Sequence, residues 1–270
     1  MALLYALLVL EAVIVICGTL LFAWWWQRHA GAAWATWLWG GGAFITAQLF
    51  HIPVLLGLTA LGKKFPPAPA YAPWINILIL GGTAGLFENV SRYFFLRAPA
   101  KNARRWKDGV MFGAGHGGVE AILLIGAAVA SALVMLAMGD QILAQIETAQ
   151  PEQASAVAAQ IVAIRGMQWW MPFVAIWERT MAITLHIALS LLVLRAVVRR
   201  ELRWLWLAIL FHACVDGTAV GVQQAMPGNI ALVEGAVTLL TVVSVAIIIW
   251  TYRSERKESV TDEGRSGVDA

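Results

Sequence analysis

The chain has 270 residues, of which 60% are hydrophobic and only 13% charged, with a formal net charge of +3 and a mean hydropathy of +0.72. Soluble domains carry about 25% charged residues, so this composition excludes an ordinary soluble protein and indicates a polytopic membrane protein. The basic residues form no nucleic-acid-like patch; most of the 19 sit in short loops between apolar runs, where they report topology.

Seven runs reach the ~20 residues that a helix needs to cross a bilayer. They cover residues 3–26, 34–61, 73–96, 109–138, 171–195, 204–224 and 229–252. The expected fold is an all-α multi-pass bundle: one transmembrane domain over 1–252 and a short disordered tail over 253–270. The first run lacks a basic stretch ahead of it and is followed by Arg28, so it reads as a retained helix with its N-terminus outside. Pro66, Pro67, Pro69 and Pro73 suit a stiff outer loop after the second run. In the longer outer loop over 139–170, Val157, Ile161 and Ile164 recur at helical spacing within 154–164, which predicts an amphipathic surface helix.

Loop charges set the orientation. Thirteen basic residues (Arg28; Arg97, Lys101, Arg104, Arg105, Lys107; Arg195, Arg199, Arg200, Arg203; Arg253, Arg256, Lys257) fall on one side, against Lys63, Lys64 and Arg165 on the other. By the positive-inside rule the C-terminus is cytoplasmic, and the expected location is the cytoplasmic (inner) membrane of a bacterial-type cell. Trp24, Trp25, Trp26, Trp34, Trp37, Trp39, Trp106, Trp204, Trp206 and Trp250 fall near the same boundary, as an interfacial aromatic belt does. Cys17 and Cys214 lie in apolar runs and read as buried structural thiols rather than a disulfide or metal pair.

Ionisable residues at membrane depth mark functional sites by default. Here they come in pairs at helical spacing: Glu88 with Arg92, His116 with Glu120, Glu178 with His186, and His212 with Asp216. At ~1.5 Å per residue, Glu88, His116, His186 and His212 each lie about 10–13 Å from the cytoplasmic end of their runs. Four separate helices therefore place a carboxylate and three imidazoles in one layer. Glu11 and His51 read more simply as structural polar groups in neighbouring helices. Gly113, Gly115, Gly117 and Gly118 around His116 would let helices approach closely.

Histidine and carboxylate together can bind a metal, zinc being the natural choice for His116, His186 and His212. They can equally act without metal, a desolvated glutamate serving as general base and histidines stabilising an oxyanion. No HExxH or GxSxG occurs.

Glu88 and Arg92 resemble the ExxxR portion of the EExxxR motif of type II CAAX prenyl endopeptidases and their bacteriocin-processing relatives. Phe112 with His116 is similar to the FxxxH motif of that superfamily, and His212 with Asp216 to its HxxxN/D motif, in the same order. Glu120 after His116, and Glu178-Arg179 in the next helix, look closer to the YhfC branch, described as intramembrane metalloproteases. The resemblance covers roughly residues 75–225, the core of the domain, and implies a peptidase of membrane proteins or peptides. Glu88, His116, Glu120 and His212 are then its catalytic candidates, supported by Arg92, Glu178, His186 and Asp216. Phe87 stands where that motif has its first glutamate, so the water-activating role falls to Glu88 or to Glu120. The alternatives from the residues themselves are a proton-coupled transporter, whose relay the same groups would form, and a non-catalytic scaffold that keeps them for packing.

Overall fold

The computed structural model describes residues 2–266, with side chains through Glu258. Among the described residues the chain is helical without strands. Helix α1 covers Ala2–Ala30, α2 Trp34–Lys64, α3 Ala72–Ile77, α4 Thr83–Arg97 and α5 Trp106–Ala149. Then come α6 over Pro151–Arg165, α7 over Met171–Arg199, α8 over Arg203–Ala225 and α9 over Ile230–Ser266. Six of these (α1, α2, α5, α7, α8 and α9) are long and apolar enough to cross a membrane. The chain is an integral, multi-pass membrane protein.

The remaining expected span, 73–96, is a helical stretch in three pieces. A π-turn over Leu78–Gly82 joins α3 to α4. A π-turn spreads one extra residue into the helix and shifts the face presented by everything after it, and such turns favour functional sites. It ends one residue before Thr83 and six before Glu88. Helix α9 carries on through the polar segment to Ser266, and the final four residues of the expected tail lie outside the described residues.

Local chemistry explains the breaks. Gly31, at φ +65°, takes the left-handed position after α1 that glycine occupies without strain. Arg200, at φ +57°, ends α7 in the same conformation, and the Glu201 N–H then bonds the Ala196 carbonyl at 3.1 Å. Pro73 and Pro151 sit in the first turns of α3 and α6, where a missing N–H costs nothing.

The chain divides into two compact units. The first comprises the N-terminal stretch through Leu21 with Glu120–Arg179. Here α6 seats Ile161, 3% exposed, against Gly139 of α5, where even a Cβ would stand 3.1 Å from the isoleucine. Arg165 grips Asp140 through both carboxylate oxygens at 3.0 and 2.8 Å. The expected 154–164 helix is thus part of a slightly longer one with its apolar stripe on α5.

The second unit comprises Phe22–Val119 with the chain from Thr180 onward. Its centre is α7, in which every residue from Leu185 to Leu194 is buried, as a helix apolar all round should be. Glycines bring its neighbours to backbone contact. A Cβ on Gly115 would lie 2.0 Å from the Trp37 carbonyl oxygen of α2, and one on Gly113 2.5 Å from Ile187 Cα of α7. Gly85 does the same between α4 and α8, 2.8 Å from the Ile209 carbonyl oxygen. These contacts draw α2, α4, α5, α7 and α8 together around the polar side chains. The two cysteines are exposed on helix faces, contrary to the buried reading. Apolar helices that face lipid need not bury a small thiol among themselves.

Candidate functional site

Within the second unit, α4, α5, α7 and α8 bring Glu88, Arg92, His116, His186 and His212 into one buried cluster. Arg92 and His116 are fully buried, and Glu88, His186 and His212 are at most 6% exposed. Glu88 is the hub. Its Oε2 lies 3.1 Å from His116 Nε2, 3.3 Å from Arg92 Nη2 and 3.9 Å from His212 Nε2. The other oxygen, Oε1, accepts a hydrogen bond of 3.3 Å from Gln48 Nε2 of α2. The imidazole centroids are 5.1 Å apart for His116 and His186 and 5.6 Å for His186 and His212. Phe44 meets the His116 ring edge-on at 5.4 Å and closes the α2 side with an apolar wall.

Arg92 organises the proton positions. A guanidinium can only donate, so each atom it touches must accept. It reaches Asn89 Oδ1 at 2.9 Å and His186 Nδ1 at 2.6 Å. The first contact orients the Asn89 amide, whose Nδ2 donates to Gly85 O at 2.7 Å and faces His212 Nδ1 at 3.2 Å. Both His186 and His212 therefore hold an unprotonated Nδ1, and in the neutral ring the proton sits on Nε2. For His212 that Nε2–H points toward Asp216 Oδ2 at 3.4 Å and toward Glu88. One buried cation thus fixes two tautomers, one directly and one through an amide.

Glu120 and Glu178 belong to the first unit. There Arg179 bridges them, with Nη1 3.3 Å from Glu120 Oε1 and Nη2 on the Glu178 carboxylate. Glu120 follows His116 by four residues on α5. Of the sequence candidates, Glu88, Arg92, His116, His186, His212 and Asp216 are gathered in one place, and Glu120 and Glu178 are joined through Arg179. Gln48 and Asn89 were missed. Asn89 did carry a signal, being an amide one residue from Glu88 inside an apolar helix; Gln48 was visible only as a polar residue three positions before His51. His51 is 7% exposed and bonds Thr83 Oγ1 at 2.8 Å, and Thr83 bonds the Ile79 carbonyl inside the π-turn, which fits the structural role expected of it.

The donor set suits a divalent metal in kind. Glu88, His116 and His186 each offer a ligand atom, and these atoms lie within 4.8 Å of one another. One carboxylate and two imidazoles are a common set for zinc and its neighbours. Arg92 qualifies the fit, because a metal on His186 Nδ1 must displace the guanidinium. His212 presents an N–H, which makes it a hydrogen-bond donor in this arrangement.

The family model described as "YhfC intramembrane metalloprotease" matches residues 12–237. The chain is 32% identical over 241 residues to an uncharacterized membrane protein, YhfC, of Bacillus subtilis (strain 168), covering 86% of this chain and 89% of that one. No solved structure matches.

Proposed function

The chain belongs to the YhfC intramembrane metalloprotease family, and from that premise we propose that it hydrolyses a peptide bond of a membrane protein or peptide at the Glu88 cluster. The observation that carries the reading is the contact of Glu88 with His116 and Arg92, with His212 within 3.9 Å, all buried among four helices. A transporter relay needs no such convergence on a single carboxylate. Glu88 takes a proton from water held beside it, and the His212 Nε2–H stabilises negative charge developing on the scissile carbonyl oxygen. Asp216 orients His212, while Arg92 and Asn89 hold the tautomer that makes it a donor. His116 fixes the attacking face of Glu88.

A divalent metal would be held by Glu88, His116 and His186 and would supply Lewis-acid polarisation there. Phe87 in place of a first glutamate leaves Glu120 as the alternative to Glu88 for the base. The order of ExxxR, FxxxH and HxxxD supports a relationship to the type II CAAX prenyl endopeptidase superfamily. Loop charges favour a site opening toward the cytoplasm of a bacterial-type inner membrane.

The test is cleavage of membrane-spanning peptides by the purified full-length chain, read by mass spectrometry. Glu88→Gln should lower the rate by about 100-fold or more, and His212→Ala by about 100-fold, with the fold retained. Glu120→Gln separates the two base assignments: loss equal to that of Glu88→Gln marks it as the base, little change leaves the role with Glu88. Full activity in all of these variants, with lowered stability, would assign the cluster to helix packing and overturn the peptidase reading.

A further inference from the structure

Away from the Glu88 cluster, the arginine-rich end of the second unit holds a small cleft of about 80 Å³ that opens to the surface. Arg104, Arg195 and Arg199 line it, over an apolar floor of Leu191, Leu194 and Val198. Membrane topology asks that arginines lie at this end; it does not ask three of them, from the α4–α5 loop and α7, to line one concavity. Arg195 is also held in place. Its guanidinium lies 4.8 Å from the Trp204 ring centroid and 4.7 Å from that of Trp250, two rings that pack against each other at 5.4 Å, and these cation–π contacts restrict where its N–H groups point.

The cleft already holds an anion of the chain's own. Arg199 donates to the Glu258 carboxylate, Ser254 Oγ donates to the same oxygen at 3.0 Å, and Arg195 Nη2 stands 4.0 Å from it. Two donors and a second guanidinium thus surround one oxyanion position. Arg195 Nη1 spends its bond on Ser254 at 3.0 Å, and its buried Nε makes no hydrogen bond among the described residues. Glu255, the other carboxylate lining the cleft, accepts from the Trp106 backbone N–H at 2.8 Å. The Glu258 side chain is 51% exposed, so it can leave without unpacking α9.

We propose that this cleft binds a phosphate oxyanion, that of an anionic phospholipid headgroup, and that Glu258 is the internal anion displaced when it does. Guanidinium forks match phosphate geometry, and arginines at the membrane surface draw anionic lipid. Trp106, Trp204 and Trp250 place the cleft at the level where indoles meet headgroups. The floor of leucines and valine would cover the first methylenes of an acyl chain, which a free phosphate lacks.

The full-length chain in neutral detergent is titrated calorimetrically with dihexanoyl-phosphatidylglycerol, dihexanoyl-phosphatidylcholine and inorganic phosphate. Phosphatidylglycerol should bind one per chain. Glu258→Gln, which removes the competing carboxylate, should tighten it about 2- to 5-fold. The double variant Arg195→Gln/Arg199→Gln should weaken it about 30-fold. Inorganic phosphate binding as tightly as the glycerolipid would assign the cleft to free phosphate and overturn the lipid. Failure of every anion to bind, or an affinity unmoved by Glu258→Gln, overturns the site itself. The Glu258 variant lies at an exposed helix end, so it decides the matter even where the double variant does not fold.

Discussion

Replacing Arg92 by methionine tests the organisation of the site most directly. The guanidinium is fully buried and meets Glu88 at 3.3 Å, Asn89 at 2.9 Å and His186 at 2.6 Å. Methionine fills much of the same volume and supplies none of these donors. Glu88 is then a buried carboxylate without its counter-charge, and loss of one partner from a buried pair costs about 3–5 kcal/mol. Neutralising the partner should recover most of this, so Glu88→Gln/Arg92→Met is expected to be at least about 2 kcal/mol more stable than Arg92→Met alone. The assay is equilibrium unfolding in mixed micelles, followed by far-UV circular dichroism, with the four proteins of the double-mutant cycle side by side. A divalent metal can take over the lost positive charge. At about 100 times its dissociation constant it should restore about 2.7 kcal/mol to Arg92→Met. A cost below about 1 kcal/mol for Arg92→Met, or strict additivity in the cycle, would refute the view that Arg92 is the counter-charge of Glu88.

Asn89→Leu should slow cleavage by about 10- to 100-fold and cost about 1–3 kcal/mol in the same unfolding assay, because Arg92 and His212 each lose a partner inside the bundle. Gly115→Ala should destabilise by about 1–3 kcal/mol, since its Cβ would stand 2.0 Å from the Trp37 carbonyl oxygen. Gly126→Ala, with nothing within 4 Å, should be neutral or add up to about 1 kcal/mol of helix stability. Asp140→Asn breaks an ion pair whose carboxylate is 78% exposed, and the unfolding midpoint should move by the equivalent of less than about 1 kcal/mol. Metal analysis of the purified chain should give one equivalent of a divalent transition metal in wild type and none in His116→Ala; equal content in both would remove His116 from the ligand set.

Much of the site was legible because membrane burial makes charge conspicuous. Glu88, His116, His186 and His212 stood out against long apolar runs, and the constant rise of a helix turned their positions into depths. The common layer of those depths corresponds to a cluster in space. The partners were harder to see. Asn89 and Gln48 are uncharged, and an amide in a spanning helix usually satisfies a neighbour without chemistry. Arg92 read as the partner of Glu88 one turn away, whereas it is fully buried and also reaches Asn89 and His186. The π-turn left no mark in the apolar pattern of 73–96, since leucine, isoleucine and glycine fit an α-turn equally well. The ion pair of Arg179 with Glu120 was hidden by its separation of 59 residues. Hydropathy periodicity reports which face of a helix is apolar; it does not report which distant charge that face meets.

Charge balance connects the metal question to the same residue. Glu88 and Arg92 cancel, and with neutral imidazoles the buried group of these two and the three histidines carries no net charge, Asp216 lying at its edge. A divalent ion added to it brings two positive charges into a water-poor interior, where each unbalanced ion costs several kcal/mol. That cost falls if the guanidinium withdraws from Glu88 and His186, which also frees the His186 Nδ1 that Arg92 covers at 2.6 Å. Metal and Arg92 therefore compete for one carboxylate and one imidazole, and each weakens the other's hold. Metal affinity should accordingly rise in Arg92→Met even as the apo-protein becomes less stable, a pairing of opposite effects that simple misfolding would not produce. Asn89→Leu supplies the contrast, because it disturbs His212 and leaves the three ligand atoms alone. Its metal affinity should stay within about 3-fold of wild type while cleavage falls, separating the group that donates to the substrate from the groups that hold the ion.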